Sequence, residues 1–467
     1  METLIVYNGT KYKKHLQRGK EPFPDGNQLA IEGSILLDFF DFKNRKVHLI
    51  SQIITKFTKK QFAEALRFEE GIKPELPFCD DNKQRLLYIH IPFCEELCPY
   101  CSFHRVRFDE ILIRKYYRAL INEIRLYKEK NYSFSGIYVG GGTPTVIMDE
   151  LANMLEFART NFPIRQISVE TNPNHLTPEI IAALREAGVN RLSVGVQTFN
   201  DDILKKISRF EKYGSGREIS EKLGKIQGSF NTVNADMIFN FPSQTPQMLN
   251  NDLDVLLKLK MEQVTFYPLM VSTITQGLMS KTMGEVDFNH EKRLYKLICR
   301  RMENDYNYSS AWCFSRKSGQ KALIDEYVVD YDEYAGLGSG SIGYVKGTCY
   351  SNTFDINQYI TSLDQNILPL MASRRFNLHD QMSYDFLMKL FSTKLNIDEI
   401  EKKYNGKFLK TLWKEMIAFI LAGSFRYFSP DFHLTDRGRY FWVIMMREFF
   451  IAVNNFREFG RKQAGIS

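Results

Sequence analysis

The stretch YIHIPFCEELCPYCSFHR (Tyr88–Arg105) places three cysteines, Cys94, Cys98 and Cys101, in one short loop. The chain of 467 residues has seven cysteines in all, so the spacing C-x3-C-x2-C directly after a predicted strand is a concentrated feature. Three interpretations compete: incidental structural cysteines, a zinc site with His104 as fourth ligand, and a [4Fe–4S] cluster held by three thiolates with one iron left open. The clustering disfavours the first interpretation, and the loop alone leaves the other two open.

From Leu86 onward, short apolar β-rich runs alternate with helical stretches. This alternation predicts βαβ units and a parallel sheet, and six units in series predict an α/β fold with a partial (β/α)6 barrel. In such folds the chemistry lies at the C-terminal ends of the strands. The predicted strands are LLYIHIPF, SGIYVGGG, QISVETN, RLSVGVQTF, VNADMIFNFP and EQVTFYPLM.

Helical periodicity and capping residues mark the segments between these strands. After the cysteine loop, a 3.6-residue period places one apolar face on Ile113, Tyr117, Leu120 and Ile124. Thr177 and Asn200 are predicted N-caps of two later helices.

The chain divides into three predicted regions. Residues 1–85 form an N-terminal extension to which the sequence assigns no function. Residues 86–375 form the barrel and the segments around its substrate site. Residues 376–467 lose the strand–helix alternation and predict a mostly helical C-terminal domain, for which the winged helix is one candidate type.

Composition restricts the partners. The net charge is +7, and no dense basic run with interleaved aromatic residues appears, so we do not expect a nucleic-acid partner. We expect a cytoplasmic protein, because no apolar run reaches the length of a membrane span and the first residues do not have the pattern of a signal peptide. The mild positive charge and the C-terminal run YFWVIMM leave peripheral contact with the inner face of the membrane open.

The cysteine loop resembles the signature of radical S-adenosylmethionine (SAM) enzymes. In its longer form, YIHIPFCxxxCxYCxF, it resembles the branch that contains oxygen-independent coproporphyrinogen III dehydrogenase. Four further stretches between Leu86 and Leu269 carry the same resemblance: GGGTPT (Gly140–Thr145), VETNPN (Val169–Asn174), GVQTFNDDILKKISR (Gly195–Arg209) and DMIFNFPSQT (Asp236–Thr245). The resemblance implies a [4Fe–4S] cluster on Cys94, Cys98 and Cys101, SAM on the open iron, and a flavodoxin or ferredoxin as electron donor.

The resemblance also implies roles for residues near the strand ends. Gly141, Gly142 and Thr143 would contact the amino-acid moiety of SAM, since a glycine turn lets a ligand approach the backbone closely. Glu170 would accept hydrogen bonds from the ribose hydroxyls. Taken alone, the glycines could form an ordinary tight turn, and Glu170 could be a surface carboxylate.

The resemblance to the dehydrogenase implies two SAM molecules bound at once, and this chain retains both sets of residues by type. Gly141 and Glu170 would serve the cluster-bound SAM, whereas Gln197, Arg209 and Asp236 would serve a second one. Arg209 would clamp a carboxylate, although an arginine near a helix end also complements the helix dipole. Two tyrosines flank the loop: Tyr100 is expected to stack on adenine and Tyr88 to line the site, and both could equally be core aromatics.

The distal segments decide which member of the branch the chain is expected to be. The dehydrogenase motif has an additional cysteine where this chain has Phe103. The distal segments TFYPLMVS, AWCFSR, EYAGLGSGSIGY and LTDRGRYFWVIMMREFF resemble class C radical SAM methyltransferases that convert menaquinone to 8-methylmenaquinone. We therefore expect C-methylation of an aromatic ring carbon, with menaquinone as the lipophilic substrate and no catalytic base assigned. The alternatives are coproporphyrinogen III dehydrogenation, anaerobic heme degradation by a methyltransferase with a porphyrin as substrate, and a non-enzymatic heme-trafficking role.

Overall fold

The computed structural model describes residues 5–7, 10–12, 74–79, 81, 83–317 and 330–465. The chain forms two compact units, residues 1–52 and 53–467. In the first, an antiparallel hairpin pairs β1 (Ile5–Tyr7) with β2 (Thr10–Tyr12). Most of the predicted N-terminal extension lies outside the described residues, and the three region boundaries stay a prediction.

Seventeen strands are described in the second unit. They are β3 (Arg85–Ile91), β4 (Phe93–Cys94), β5 (Val106–Arg107), β6 (Phe134–Gly141), β7 (Gln166–Thr171), β8 (Arg191–Gln197), β9 (Thr232–Phe239), β10 (Gln263–Pro268), β11 (Tyr306–Tyr308), β12 (Cys313–Arg316), β13 (Tyr334–Leu337), β14 (Ile342–Val345), β15 (Thr348–Asn352), β16 (Leu370–Arg375), β17 (Lys394–Asn396), β18 (Phe425–Phe428) and β19 (Asp431–Leu434).

The helices fill the connections between these strands and most of the C-terminal region. They are α1 (Glu110–Glu129), α2 (Met148–Asn161), α3 (Pro178–Glu186), α4 (Asp201–Lys206), α5 (Phe210–Tyr213), α6 (Gly216–Ile226), α7 (Pro246–Leu259), α8 (Thr273–Met283), α9 (Phe288–Met302), α10 (Ile356–Asp364), α11 (Leu378–Phe391), α12 (Ile397–Lys403), α13 (Phe408–Thr411), α14 (Trp413–Leu421), α15 (Asp436–Gln463) and two short 3-10 helices, Pro144–Val146 and Pro173–His175.

Six parallel strands form the centre of a twelve-stranded sheet and pair in chain order, β3-β6-β7-β8-β9-β10. This confirms the predicted α/β fold with six βα units. The sheet extends beyond them: β13 runs parallel to β3 and leads to the antiparallel strands β14, β15 and β16, while β12 and β11 continue from β10. The carboxyl ends of the six central strands therefore share one edge, which is where a site is expected.

The local sequence explains where the early helices begin and what they bury. Asp109 accepts a hydrogen bond from the Leu112 N–H (2.8 Å) and caps α1, and Asn200 caps α4 in the same way through the Ile203 N–H (3.0 Å). All four residues predicted on the apolar face of α1 are buried. This face attaches α1 to the sheet.

The C-terminal residues form a helical domain with a small antiparallel sheet, β17-β19-β18. Its last helix, α15, buries the run predicted as a membrane contact: Phe441, Trp442 and Val443 are core residues. The Trp442 indole N–H donates to the Leu387 carbonyl (2.9 Å), and Arg447 forms a buried ion pair with Glu291 of α9 (2.6 Å). The apolar run of α15 is thus explained by packing against both the C-terminal domain and the barrel.

The described residues contain no helix with the length and apolar character needed to cross a membrane. The run in α15 is buried and does not offer the membrane contact expected from it, so that expectation rests on the mild positive charge alone.

A buried carboxylate ties α1 to the strand extension. Glu123 accepts hydrogen bonds from the Gly338 N–H (2.9 Å), the Asn352 amide (2.7 Å) and the Tyr359 hydroxyl (2.5 Å). Burial raises the pKa of Glu123 to about 7. Because this carboxylate is buried away from water, the three donors replace the hydrogen bonds that water would otherwise supply.

Removing one of those donors should lower stability. We expect Tyr359→Phe to reduce the free energy of unfolding by about 1–3 kcal/mol, because Glu123 stays buried with one donor fewer. Urea unfolding monitored by circular dichroism measures this change. The exposed Tyr427→Phe is the matched control and should leave the value unchanged; equal values for the two variants would contradict the network's role.

Candidate functional site

The three cysteines lie on the loop that leaves β3 and β4. Cys94 is buried at the end of β4, and Cys98 and Cys101 are partly exposed. Arg105 stabilises the loop because its Nη2 donates to the carbonyls of Cys98 (2.6 Å) and Cys101 (2.7 Å). One guanidinium thus fixes the backbone on which two of the thiols lie.

The environment of these thiols fits an iron–sulfur cluster better than zinc. His104, the proposed fourth zinc ligand, is buried, with its Nε2 bonded to the Ser339 hydroxyl (3.2 Å) and its ring stacked on His90. Within the described part of the chain, no three His, Cys, Asp or Glu residues converge on a position for a single metal ion. A cluster instead distributes its thiolates over separate irons. Burial raises the pKa of the Cys94 thiol to about 12, so its thiolate would need the positive charge of a bound metal centre.

The glycine turn after β6 packs directly on the cysteine loop. Gly141 has a φ of +113°, which favours glycine, and a Cβ there would lie 2.6 Å from the His90 ring. The Gly142 N–H donates to the Ile91 carbonyl (2.7 Å), and the Thr143 N–H donates to the Phe93 carbonyl (2.8 Å). The turn therefore brings its backbone to the same edge as the thiols.

Glu170 lies beside this turn on β7. Its carboxylate accepts hydrogen bonds from the Gly141 N–H (3.1 Å) and the Tyr138 hydroxyl (2.8 Å). A Cβ on Gly140 would lie 2.7 Å from that carboxylate, so the small residue makes room for it. These hydrogen bonds orient the Glu170 side chain, so it is not the unconstrained surface carboxylate that the sequence also allowed.

Arg209 links the cysteine loop to the next strands. The helix after β8 ends earlier than the sequence suggested, since α4 stops at Lys206. Arg209 therefore does not close α4; it is buried and stands at the N-cap position of α5. The guanidinium donates to the Tyr100 hydroxyl (3.4 Å) and to Asn172 (3.4 Å), and it lies over the Tyr213 ring (4.1 Å). Its Nε has no hydrogen-bond partner.

The remaining predicted residues also lie at this edge. Asp236 accepts hydrogen bonds from Ser193 (2.9 Å) and Asn234 (2.7 Å). Gln197 ends β8 with a φ of +73°, a conformation uncommon for a residue with a side chain. The Tyr88 hydroxyl is bonded to the Nδ1 of His90 (2.9 Å).

A single cavity of about 580 Å³ connects these groups. All twelve residues predicted for the cluster and for SAM line it. The structure therefore brings together every predicted site residue; the individual roles stay predictions.

The cavity continues into a chamber that the sequence did not predict. Its walls come from the barrel extension and the C-terminal domain and are mainly aromatic and apolar: Trp312, Phe376, Tyr384, Phe386, Phe419, Trp442, Met445, Phe449 and Phe450. In the sequence, only the abundance of aromatic residues pointed to such a chamber. We call this part the aromatic chamber.

Comparison with known proteins identifies the fold and the family. The family model described as Radical SAM superfamily matches residues 88–256. The heme chaperone HemW of Bacillus subtilis is 30% identical over 318 residues, which are 66% of this chain and 83% of the relative. The anaerobilin synthase of Escherichia coli O157:H7 is 27% identical and covers 86% of this chain and 90% of the relative. The coproporphyrinogen III oxidase HemN of Escherichia coli has a similar fold, with a TM-score of 0.66, 21% identity, and coverage of 78% of this chain and 90% of that chain.

These comparisons correct the expected reaction. The relatives are heme chaperones, an anaerobilin synthase and oxygen-independent coproporphyrinogen III oxidases, so the prediction of a menaquinone C-8 methyltransferase is wrong. The distal segments on which it rested, such as AWCFSR and EYAGLGSGSIGY, form the short strands β12, β13 and β14 that widen the sheet.

The expected cofactors are confirmed at the level of the family: a [4Fe–4S] cluster and SAM. The thiols, the glycine turn and the strand-end polar groups described above fit both. This chain belongs to the radical SAM superfamily, in the branch that contains the HemW heme chaperones and the oxygen-independent coproporphyrinogen III oxidases.

Proposed function

We propose that this chain is a radical SAM enzyme whose substrate is a tetrapyrrole bound in the aromatic chamber. The observation that carries the proposal is the continuity of the cavity. Its barrel end is lined by Cys94, Cys98 and Cys101, and its other end by flat aromatic side chains. A porphyrin or porphyrinogen ring would stack on such walls. The activities for which the relatives are named, anaerobilin synthesis and coproporphyrinogen III oxidation, support a tetrapyrrole substrate.

The residues of the chain would place the reactants and keep water away. When bound, the cluster and SAM supply one-electron radical chemistry. Glu170, held by the Gly141 N–H and Tyr138, would bind the ribose hydroxyls. Arg209 and Tyr100 would close the barrel end, because both are buried against the cysteine loop. The aromatic walls would exclude solvent from the reacting edge of the ring.

Two further assignments belong to this proposal. Gln197, Arg209 and Asp236 would hold a second SAM, since all three line the cavity beyond the glycine turn. Counting bound SAM per chain by equilibrium dialysis tests this. A flavodoxin or ferredoxin would reduce the cluster, and replacing either by dithionite in the assay separates electron supply from catalysis.

The decisive experiment measures SAM consumption against tetrapyrrole conversion. The full chain is reconstituted with iron and sulfide without oxygen, reduced, and given SAM with coproporphyrinogen III or, separately, heme. We expect 5′-deoxyadenosine to form with one of the two and to track the loss of that tetrapyrrole by mass spectrometry. SAM turnover that neither tetrapyrrole stimulates would contradict the proposal.

Glu170 provides a sharper test of the SAM site. We expect Glu170→Gln to weaken SAM binding about tenfold, because the amide cannot accept from both the backbone N–H and the ribose as a carboxylate does. The iron content should stay that of the wild type. Equilibrium dialysis with labelled SAM measures the affinity. Glu156→Gln, on the exposed face of α2, is the control, and equal affinities for the two variants would remove Glu170 from the site.

A second candidate is a heme chaperone. Two observations favour it: the resemblance to HemW, and Phe103 at the position where the dehydrogenase motif has an additional cysteine. In that case heme would bind stably and 5′-deoxyadenosine formation would not respond to it. The turnover assay therefore distinguishes the two functions.

A further inference from the structure

Two buried arginines line the cavity next to the cysteine loop. Arg105 belongs to the loop itself and is 9% exposed, and Arg457 belongs to α15 and is 8% exposed. The two residues are far apart in the sequence, but both side chains line the same cavity. The Arg457 guanidinium lies 4.6 Å from the centre of the Phe103 ring, which fixes its position beside the loop.

Neither arginine has an anionic partner within the described residues. Arg105 donates to backbone carbonyls, and Arg457 donates to the Asn454 side chain (3.0 Å). The Nη1 of Arg105 and the Nε of Arg457 are buried and have no hydrogen-bond partner. Glu96 also lines the cavity, but it is exposed and pairs with neither arginine. Two positive charges thus lie at the cavity wall with unused donors.

Buried guanidinium groups usually have a carboxylate or phosphate partner, because an unpaired charge is costly to remove from water. The arginine donor fork matches a carboxylate in particular. An anion that enters the cavity would therefore accept hydrogen bonds from the unused donors of both arginines and balance their charge. Both arginines line the same cavity as the aromatic chamber, and Arg457 follows Phe450 of that chamber by two turns of α15. The anionic group should therefore belong to a molecule with a large apolar body.

We infer that Arg105 and Arg457 form a carboxylate subsite that binds a propionate of the tetrapyrrole, an inference that rests on the proposed function. The subsite would orient the ring in the chamber and set which edge faces the cysteine loop. The carboxylate of SAM has the same chemistry, so the experiment must distinguish these two sources.

The first part of the experiment uses the unmodified protein. The full chain with reconstituted cluster is titrated with hemin and with hemin dimethyl ester, which lacks the free carboxylates. We expect the ester to bind at least about tenfold more weakly than hemin, because it loses one charge-assisted hydrogen bond. Equal binding of acid and ester would overturn the subsite while leaving the proposed function intact. Failure of both to bind would also overturn the inference, and the proposed function would then be decided separately by the turnover assay with coproporphyrinogen III.

The second part uses variants of α15. Arg457→Met should remove the preference for hemin over its ester, and Arg457→Lys should restore part of it, because lysine keeps the charge but not the fork. Arg426→Met, at an exposed position of β18 and outside the cavity lining, is the control and should keep the full preference. SAM affinity should be the same in all of them. If Arg457→Met instead weakens SAM and spares hemin, the carboxylate is that of SAM and the propionate assignment is wrong.

Discussion

The Cys98→Ala variant should contain almost no iron. Three thiolates are the minimum protein ligand set for a cluster with one open iron, so removing one leaves two irons without protein ligands. We expect the iron content of the reconstituted chain to fall from about four per chain to background, and SAM cleavage to fall with it. Iron analysis and the visible absorption spectrum measure the first effect, and 5′-deoxyadenosine formation measures the second.

The control for this variant is Cys299→Ala. Cys299 lies on α9 and does not line the cavity, so its loss should leave both iron content and turnover unchanged. Hemin binding should survive in Cys98→Ala, because the aromatic chamber is built from other elements. A Cys98→Ala chain that retains about four irons would exclude Cys98 from the ligand set.

The central strands and the site edge were predictable because their signals are local. Each of the six parallel strands is a short apolar run; Ile89, Val139 and Val194, for example, are fully buried. Strands that are buried on both faces need no partner information to be recognised. Once they are known to be parallel, their carboxyl ends must share one edge, and the strand-end residues follow.

The strand extension and the aromatic chamber were not predictable in the same way. In β13, Gly336 lies so close to β14 that a Cβ would be 2.3 Å from the Ile342 carbonyl oxygen. Such short glycine-rich strands carry little strand propensity, and their pairing depends on residues distant in the sequence. The chamber wall is equally non-local: Trp442 of α15 packs edge-on against Phe386 of α11, at 5.6 Å between ring centres. Sequence periodicity could place each residue on a helix face but could not show what that face meets.

The resemblance on which the sequence prediction relied had different strengths along the chain. It was confirmed for the superfamily in the cysteine loop, where Cys94, Cys98 and Cys101 have the C-x3-C-x2-C spacing; their roles as cluster ligands stay a prediction. It was wrong in the distal segments, where the similarity of short motifs does not determine the substrate. The family match covers residues 88–256, which include the cysteine loop, whereas the distal segments from Ala311 onward lie outside it.

Gly142→Ala should abolish most SAM binding. A Cβ at this position would lie 2.5 Å from the Phe93 carbonyl oxygen and 2.9 Å from the Ile91 carbonyl oxygen. Both are backbone atoms of the segment that leads into Cys94, so no side-chain rotation can relieve the contact. The turn must move away from the cysteine loop and lose its hydrogen bonds to that segment. We expect a cost of about 3 kcal/mol, about a hundredfold in SAM affinity.

Gly224→Ala is the matched control because it makes the same chemical change where space is free. Gly224 lies on the exposed face of α6, and the nearest atom to an added Cβ is 3.6 Å away, an ordinary contact. There alanine should be neutral or stabilise the helix by up to about 1 kcal/mol. Equilibrium dialysis with SAM and thermal unfolding distinguish the two variants. Wild-type SAM affinity in Gly142→Ala would mean that the turn does not depend on its contact with the cysteine loop, and the SAM site would then have to be placed elsewhere in the cavity.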